Sequence, residues 1–479
     1  MTSLLWFRRD LRLADNPALT EALRVGGSVI PLYILDPDAG GDWPDGSASR
    51  WWLHHSLQAL DRSLGKLGSR LIVRRGPALS CLKQLVAETG ARRVFWNRRY
   101  EPSSLACDSH IEQKLQGLGL SVETFNSALL YEPWQITRAG KLPYKVFTPY
   151  WKALQAAGLD QPLLPAPSLM PPVASSIASL PIETLELLPK IPWDGGLREH
   201  WQPGESGALA RLETFLATTL AEYGTLRDRP DRAGVSRLSP HLHFGEIGPR
   251  QIVQAVHASA PFPASAECYL RQLVWREFAH HLLYHFPHTP TQALNERFGD
   301  FPWAEVDRVR LAAWQRGETG IPFVDAGMRE LWRTGWMHNR VRMVTASLLT
   351  KNLRYPWLVG ARWFWDTLVD AGLANNTLGW QWVAGCGADA APYFRIFNPV
   401  LQGERFDPEG AYVRHWLPEL ASLPANWIHR PWLWMASPTM LQKAGVCLGQ
   451  NYPLPIVDLK HSREHALAAF ASLKRFQET

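Results

Sequence analysis

Between about Gln161 and Gln202 the chain turns to Pro, Ser, Ala and Leu, with Pro171 and Pro172 adjacent and further prolines on both sides. Proline has no amide proton and fixes its own φ, so no long helix or strand can run through this stretch. It divides a chain of 479 residues, more than one hydrophobic core usually serves, into parts that must each bury their own apolar surface. The two sides follow different periodicities. Ahead of it, short apolar runs at residues 4–7, 29–35, 71–73, 94–96 and 122–125 alternate with helical-looking segments such as 77–89. That alternation predicts a parallel α/β sheet over residues 1 to about 130. Beyond Glu205, apolar faces recur at helical spacing in 209–220, 266–285, 322–333 and 340–352, and again in 462–476, which predicts an all-helical remainder.

Bulk numbers exclude several classes of protein. With 50 Lys and Arg against 44 Asp and Glu, the net charge of +6 permits a polyanionic partner without requiring one. Arg92, Arg93, Arg98 and Arg99 bracket the run 94–96 and read as a solvated edge or as a nucleic-acid patch. Five Cys without C-x-x-C spacing imply reduced thiols in a reducing compartment and no zinc or iron–sulfur site. The apolar run at the N-terminus is too short for a signal peptide or a membrane span, so a cytoplasmic protein with no membrane contact is expected. No strand is followed by G-x-G-x-x-G or a P-loop, though an open sheet still offers a crevice beyond its strand ends.

The stretch 370–384 is where residue spacing speaks most directly of chemistry. On a helix Asn376 and Trp380 lie four apart and share a face, whereas Trp380 and Trp382 point roughly 200° apart. One indole can then face a buried group and the other a substrate. Trp is abundant, 23 residues in all, which fits an electron-hopping path or simply a large aromatic core. Residues 234–240 place Ser236 and Ser239 before a Pro-initiated helix, a phosphate-holding arrangement or an ordinary N-cap. In 336–343, Asn339, Arg342 and Met343 fall on neighbouring helical positions and Arg340 points elsewhere. A buried Arg342 needs a carboxylate such as Asp370; an exposed one is a surface residue. Gln272, Trp275 and Arg276 combine an amide, a stacking indole and a cation, suited to an unstacked base or to a helix–helix core. His281 and His285 have metal-like spacing, but no third ligand stands in register, and solvated or capping roles are expected for them and for His280 and His288.

Taken in order, these segments resemble the photolyase/cryptochrome family, and within it the class I cyclobutane pyrimidine dimer (CPD) photolyases. Residues 5–12 with 15–19 resemble the family's opening strand and turn, and 236–240 its FAD phosphate loop. Residues 275–278, 335–340, 379–382 and 395–399 resemble its helical domain. The resemblance implies an α/β fold followed by an all-α one: a Rossmann-like parallel antenna domain (1–130), a linker (131–204) and a helical FAD-binding domain (205–479). FAD would be held by Tyr223, Ser236, Arg237, Leu238 and Ser239 at its phosphates and ribose. Gln272, Arg276, Asn339, Arg342, Asp370 and Asn376 would surround the flavin, with Asn376 near N5. Trp380, Trp357 and Trp303 match the family's photoreducing tryptophans. Gln272, Trp275, Arg340, Met343 and Trp382 match residues lining the pocket that receives the flipped dimer of UV-damaged DNA. The implied reaction is light-driven electron transfer from reduced FAD that splits the cyclobutane ring, with no metal and no acid–base triad. A monomer is expected.

Departures from the pattern leave a second function open. Gln272 stands where CPD photolyases carry a Glu that bonds the lesion, and a neutral amide cannot supply the same charge. A photolyase-like cryptochrome, a blue-light receptor with weak or no repair, is therefore the alternative. Asn339-Arg340-Val341-Arg342 replaces the paired His of (6-4) photolyases, so that activity is not expected. Val235 and Gly372 each remove a side-chain contact to FAD. Ser104 replaces the Glu of folate-binding members, so a folate, a deazaflavin or no antenna chromophore is expected in the N-terminal domain.

Overall fold

The computed structural model describes residues 1–259, 263–390, 394–434 and 438–475. The five apolar runs form β1 (Thr2–Phe7), β2 (Ser28–Leu35), β3 (Ile72–Arg75), β4 (Arg93–Asn97) and β5 (Ser121–Phe125). They build one parallel sheet in the order β3-β2-β1-β4-β5, with Leu4 opposite both Ile30 and Val94. Parallel neighbours need crossovers. These are α1 (Pro17–Arg24), α2 (Ser47–Lys66), α3 (Ala78–Thr89) and α4 (Pro102–Gln116). Asn16 starts α1 by accepting the Leu19 amide at 3.1 Å, with Pro17 in the first turn. Helices on both faces explain why the inner strands read as apolar runs, whereas the edge strand β5 is only half-buried and includes Glu123 and Thr124. Along β1, Leu4 and Trp6 alternate with Leu5 and Phe7, and all four are buried. One side gathers Leu4, Trp6, Ile30, Leu32, Val94 and Trp96, each worth roughly 1.5–3 kcal/mol of apolar burial.

The arginines around β4 are not a uniform solvated edge. Arg92 is exposed, but Arg98 donates through Nε to Glu132 at 3.0 Å, and Arg99 pairs with Glu101 at 3.2 Å. Glu132, from beyond β5, captures Arg98, which the local sequence could not reveal, whereas the Arg99 partner Glu101 stands only two residues away.

Between the sheet and Gly204 the chain carries α5 (Phe147–Ala157), 3-10 turns at Ala139–Lys141 and Ile182–Leu185, and α6 (Gly195–His200). Helices then follow one another: α7 (Glu205–Thr218), α8 (Tyr223–Leu226), α9 (Ser239–His243), α10 (Pro249–Ala258), α11 (Pro263–His285), α12 (Arg308–Arg316), α13 (Pro322–Thr334), α14 (Asn339–Ser347), α15 (Trp357–Thr367) and α16 (Leu373–Ala384). Five more close the chain: α17 (Pro399–Phe406), α18 (Ala411–Trp416), α19 (Ala425–Ile428), α20 (Pro438–Lys443) and α21 (Leu459–Arg475). The expected end of the last helix at Phe476 lies outside the described residues.

Two compact units result. The first comprises Met1–Ala221, Ser236–Pro287 and Val369–Ala374; the second comprises Glu222–Val235, His288–Leu368 and Asn375–Thr479. In the first, α11 packs on α5 and α10. In the second, α13 is surrounded by α12, α14, α17 and α18. Gly327 makes the α13–α14 approach close: a Cβ there would sit 2.3 Å from Val341 Cγ1. No helix among the described residues is long and apolar enough to cross a membrane, and the cysteines form no disulfide among them.

Candidate active site

In the first unit, the segment 236–239 forms a tight turn ahead of the short helix α9. Arg237 adopts a left-handed backbone at φ 52°, a strained conformation for a side chain of its size. The Ser236 hydroxyl accepts the Leu238 amide at 3.4 Å and the Tyr269 hydroxyl at 3.0 Å, while Leu238 is buried and anchors the turn. Ser239 is exposed at the start of α9. Ser236, Arg237 and Ser239 thus bring hydroxyl and guanidinium groups together in one irregular segment, a donor set whose chemistry fits phosphate oxygens.

Helix α11 sends its three candidate residues in different directions. Gln272 donates to the Cys268 carbonyl at 3.4 Å. Trp275 is half-buried and lies face to face on Phe147, with ring centroids 3.8 Å apart and planes 5° from parallel. Arg276 donates through one amino group to the Ala128 carbonyl at 2.7 Å, and that group sits 3.5 Å from Glu277. Burial raises the Glu277 carboxyl to about 7, and its other oxygen accepts the Leu130 amide at 2.9 Å. The histidines are spent on backbone. His281 donates to the Pro133 carbonyl at 3.1 Å and accepts the Tyr144 amide at 3.0 Å, and His285 donates to the same carbonyl at 3.2 Å. His280 donates to the Arg276 carbonyl at 2.9 Å. No group of three or more metal-ligating side chains occurs among the described residues. Asp370 is buried, and its carbonyl accepts the Gly372 amide at 2.7 Å.

At the carboxyl ends of β1 and β4, side chains pair with one another. Arg8 meets Asp108, Arg9 meets Asp45, and the Asn97 amide donates to Asp10 at 2.6 Å. Ser104 is buried nearby in sequence on α4.

In the second unit, His338 caps α14 by accepting the Arg340 amide at 3.2 Å. Asn339 is exposed with its amide 3.8 Å from the Met343 sulfur, and Arg342 donates through Nε to the Met337 carbonyl at 2.7 Å. Arg340 turns away, pairing with Asp228 at 2.8 Å and lying 4.4 Å over the Phe406 ring. This is the separation that helical spacing predicts. Tyr223 is buried at the start of α8, with the Arg227 guanidinium 5.7 Å from its ring.

Helix α16 carries the redox candidates as its periodicity requires. Asn376 and Trp380 are both buried, whereas Trp382 is half-buried and donates to the Asp389 carbonyl at 3.1 Å, with Arg395 5.2 Å over its ring. The Asn376 amide donates to the Ala361 carbonyl of α15 at 3.0 Å, leaving its oxygen to accept from a ligand. Trp380 meets Phe364 edge-on at 4.9 Å and Trp314 at 6.3 Å. Among the described residues no ring contact joins Trp380, Trp357 and Trp303 directly. Trp357 is buried at the start of α15, and Trp303 is half-buried beside Phe301 at 4.5 Å.

Three supporting residues escaped the sequence reading. Gln381 clamps the segment before α12, donating to Thr289 and Gln292 carbonyls at 2.7 and 2.8 Å and accepting the Leu294 amide at 2.9 Å. Lys351 is buried, donates to the Ala384 carbonyl at the end of α16 at 2.6 Å, and sits 3.0 Å from the Phe394 ring centroid. Burial holds its pKa well below that of an ordinary lysine. Its signal was a lone cation in an apolar run. Phe147, under Trp275, gave no signal at all.

Comparison with known proteins places this architecture. A family model described as DNA photolyase matches residues 3–169, and one described as the FAD binding domain of DNA photolyase matches residues 269–472. The deoxyribodipyrimidine photo-lyase of Agrobacterium fabrum is 48% identical over 98% of this chain and 98% of its own. The chain belongs to the photolyase/cryptochrome family. As in that family, a parallel five-stranded α/β domain precedes a helical domain of the FAD-binding type. A bacterial class III photolyase structure from Agrobacterium tumefaciens superposes with a TM-score of 0.94 at 46% identity, covering 99% of this chain and 98% of that one. That relative is described as class III, where the sequence resemblance pointed to class I. Cryptochrome-2 of Arabidopsis thaliana is 41% identical over 99% of this chain and 79% of its own.

Proposed function

We propose that the chain is a blue-light-dependent deoxyribodipyrimidine photolyase of the class III type, acting on UV-damaged DNA as a cytoplasmic monomer. The observation that carries the reading is 48% identity across essentially the whole length of both chains to a deoxyribodipyrimidine photo-lyase, with the class taken from the Agrobacterium tumefaciens structure. Residues 1–130 serve as the antenna-type domain, 131–204 as linker and 205–479 as the FAD-binding domain.

FAD, when bound in its reduced form, supplies on blue-light excitation the electron that splits a pyrimidine dimer. The chain's own residues bind, orient and relay. Ser236, Arg237 and Ser239 offer donors to phosphates, with Tyr223 and Leu238 beside the nucleoside. Asn376 presents its carbonyl oxygen, fixed because its NH2 is held by Ala361. Asp370, Asn339 and Arg342 supply the remaining polar edge. Arg276, anchored through one amino group on the Ala128 carbonyl, adds a cation beside the flavin. Trp380, Trp357 and Trp303 relay electrons inward. Trp275, Trp382, Arg340 and Met343 receive the flipped lesion, whose poor stacking lowers the cost of extrusion. Gln272 supplies an amide to its base edge.

Gln272 also supports a second reading, a cryptochrome that retains the flavin chemistry and repairs poorly. Purified protein illuminated with a dimer-containing oligonucleotide separates the two. Restoration of pyrimidine absorbance in light and not in darkness is expected of the wild type, and Gln272→Glu should accelerate it severalfold. Repair by the variant alone identifies the receptor. Trp380→Phe should slow photoreduction of oxidised flavin at least tenfold while sparing repair by pre-reduced protein.

A further inference from the structure

Phe147 opens α5 and is fully buried, so it cannot itself touch a substrate. Its ring nevertheless covers one face of the half-buried Trp275 indole at 3.8 Å and 5°. Phe278, three residues further along α11, closes the edge of that indole at 5.8 Å and 76°, and meets Phe147 at 5.9 Å and 72°. Arg271, four residues before Trp275 on the same helix, lies 5.6 Å from the Phe147 ring and 5.9 Å from that of Trp151. The other face of Trp275 meets no aromatic ring among the described residues. An indole braced on one face and along one edge is held flat, and its partial exposure leaves surface on which a planar group can stack.

We infer that Phe147 is a positioning residue for DNA-lesion binding: it locks the Trp275 ring as a preformed stacking platform for an extruded pyrimidine. The inference rests on the repair reading above. Ordering a side chain during association costs roughly 0.5–1.5 kcal/mol, and an aromatic pair holds its geometry with a similar energy. A ring already fixed by Phe147 avoids that cost at the moment of binding. Phe147 therefore acts on affinity for the lesion and not on the electron transfer that follows.

The test is a double-mutant cycle read by binding in the dark, with an oligonucleotide bearing one cyclobutane thymine dimer and its undamaged counterpart. Phe147→Leu and Phe147→Met should each weaken dimer binding about two- to thirteenfold, the range those energies convert to. Phe147→Tyr, which keeps the ring, should stay within about twofold of wild type. Flavin content, and the repair rate at saturating DNA, should be unchanged in all three. In a Trp275→Leu background the Phe147 substitutions should have no further effect. An equal loss in that background makes Phe147 merely structural and overturns the inference, as does an unchanged affinity in both backgrounds. Melting curves and flavin spectra check that each variant is folded, and should Leu and Met both fail to fold, loss of dimer preference in Phe147→Tyr overturns it equally. Wild-type protein with no preference for the dimer overturns the repair reading itself, a result distinct from a preference that Phe147→Leu leaves intact.

Discussion

His281 is locked as a neutral imidazole by what surrounds it. One nitrogen donates to Pro133, the other accepts from Tyr144, and the rings of Tyr144, Tyr150, Phe278 and His285 close around it. Burial, with a smaller push from His285, lowers its pKa to about 4. The folded state therefore refuses a proton that the unfolded chain accepts near pH 6.5. Stability from this residue is complete above that pH and is lost as pH falls toward 4, by on the order of 3 kcal/mol. Urea titrations from pH 8 to 4 should show this decline, and His281→Gln should flatten it while lowering stability at pH 7. An identical slope in the variant would mean that other groups titrate. His281 also marks how far single residues are legible in sequence. Its spacing to His285 is visible in the chain, but the carbonyl they share belongs to a segment almost 150 residues earlier.

Helices α15 and α16 meet through a glycine. A Cβ on Gly360 would stand 2.0 Å from Trp380 Cη2 and 2.6 Å from Leu349 Cδ2, neither of which can move aside in a packed interior. Gly360→Ala should therefore cost about 1–3 kcal/mol of stability by overpacking and tilt the indole. Chemical denaturation gives the first effect and the rate of flavin photoreduction the second; a variant unaltered in both contradicts the packing. At this scale the sequence was most readable. The apolar run at 94–96 became β4 with one residue added at each end, because burial on both faces leaves apolar positions between them; β5, at the sheet edge and only half-buried, keeps Glu123 and Thr124 within its strand. The face shared by Asn376 and Trp380 followed from the 3.6-residue repeat alone. The predicted helix over 340–352 changes at Leu348–Asn352 into a π-helical turn, which the pattern does not encode. Likewise the Phe147–Trp275 stack joins α5 to α11, and no local rule links residues so far apart.

For the molecule as a whole, a modest net charge of +6 makes contact with phosphates an electrostatic matter. Each neutralised phosphate releases counterions, so affinity for dimer-containing duplex should fall steeply with salt. Four phosphate contacts correspond to about a hundredfold loss between roughly 50 and 200 mM monovalent salt. Titration at several salt concentrations measures the slope, and a flat response would remove Lys and Arg contacts from the interface. The division of the chain has a different kind of consequence. The first unit takes its last piece from Val369–Ala374, 153 residues beyond Ala221, where its longest stretch ends. On a ribosome adding roughly 10 residues per second, the nascent amino-terminal portion waits about 15 seconds for the segment that completes it. During that interval its unfinished surface is open to chaperones, and a transcript truncated anywhere before residue 374 yields a product that cannot finish even its first half.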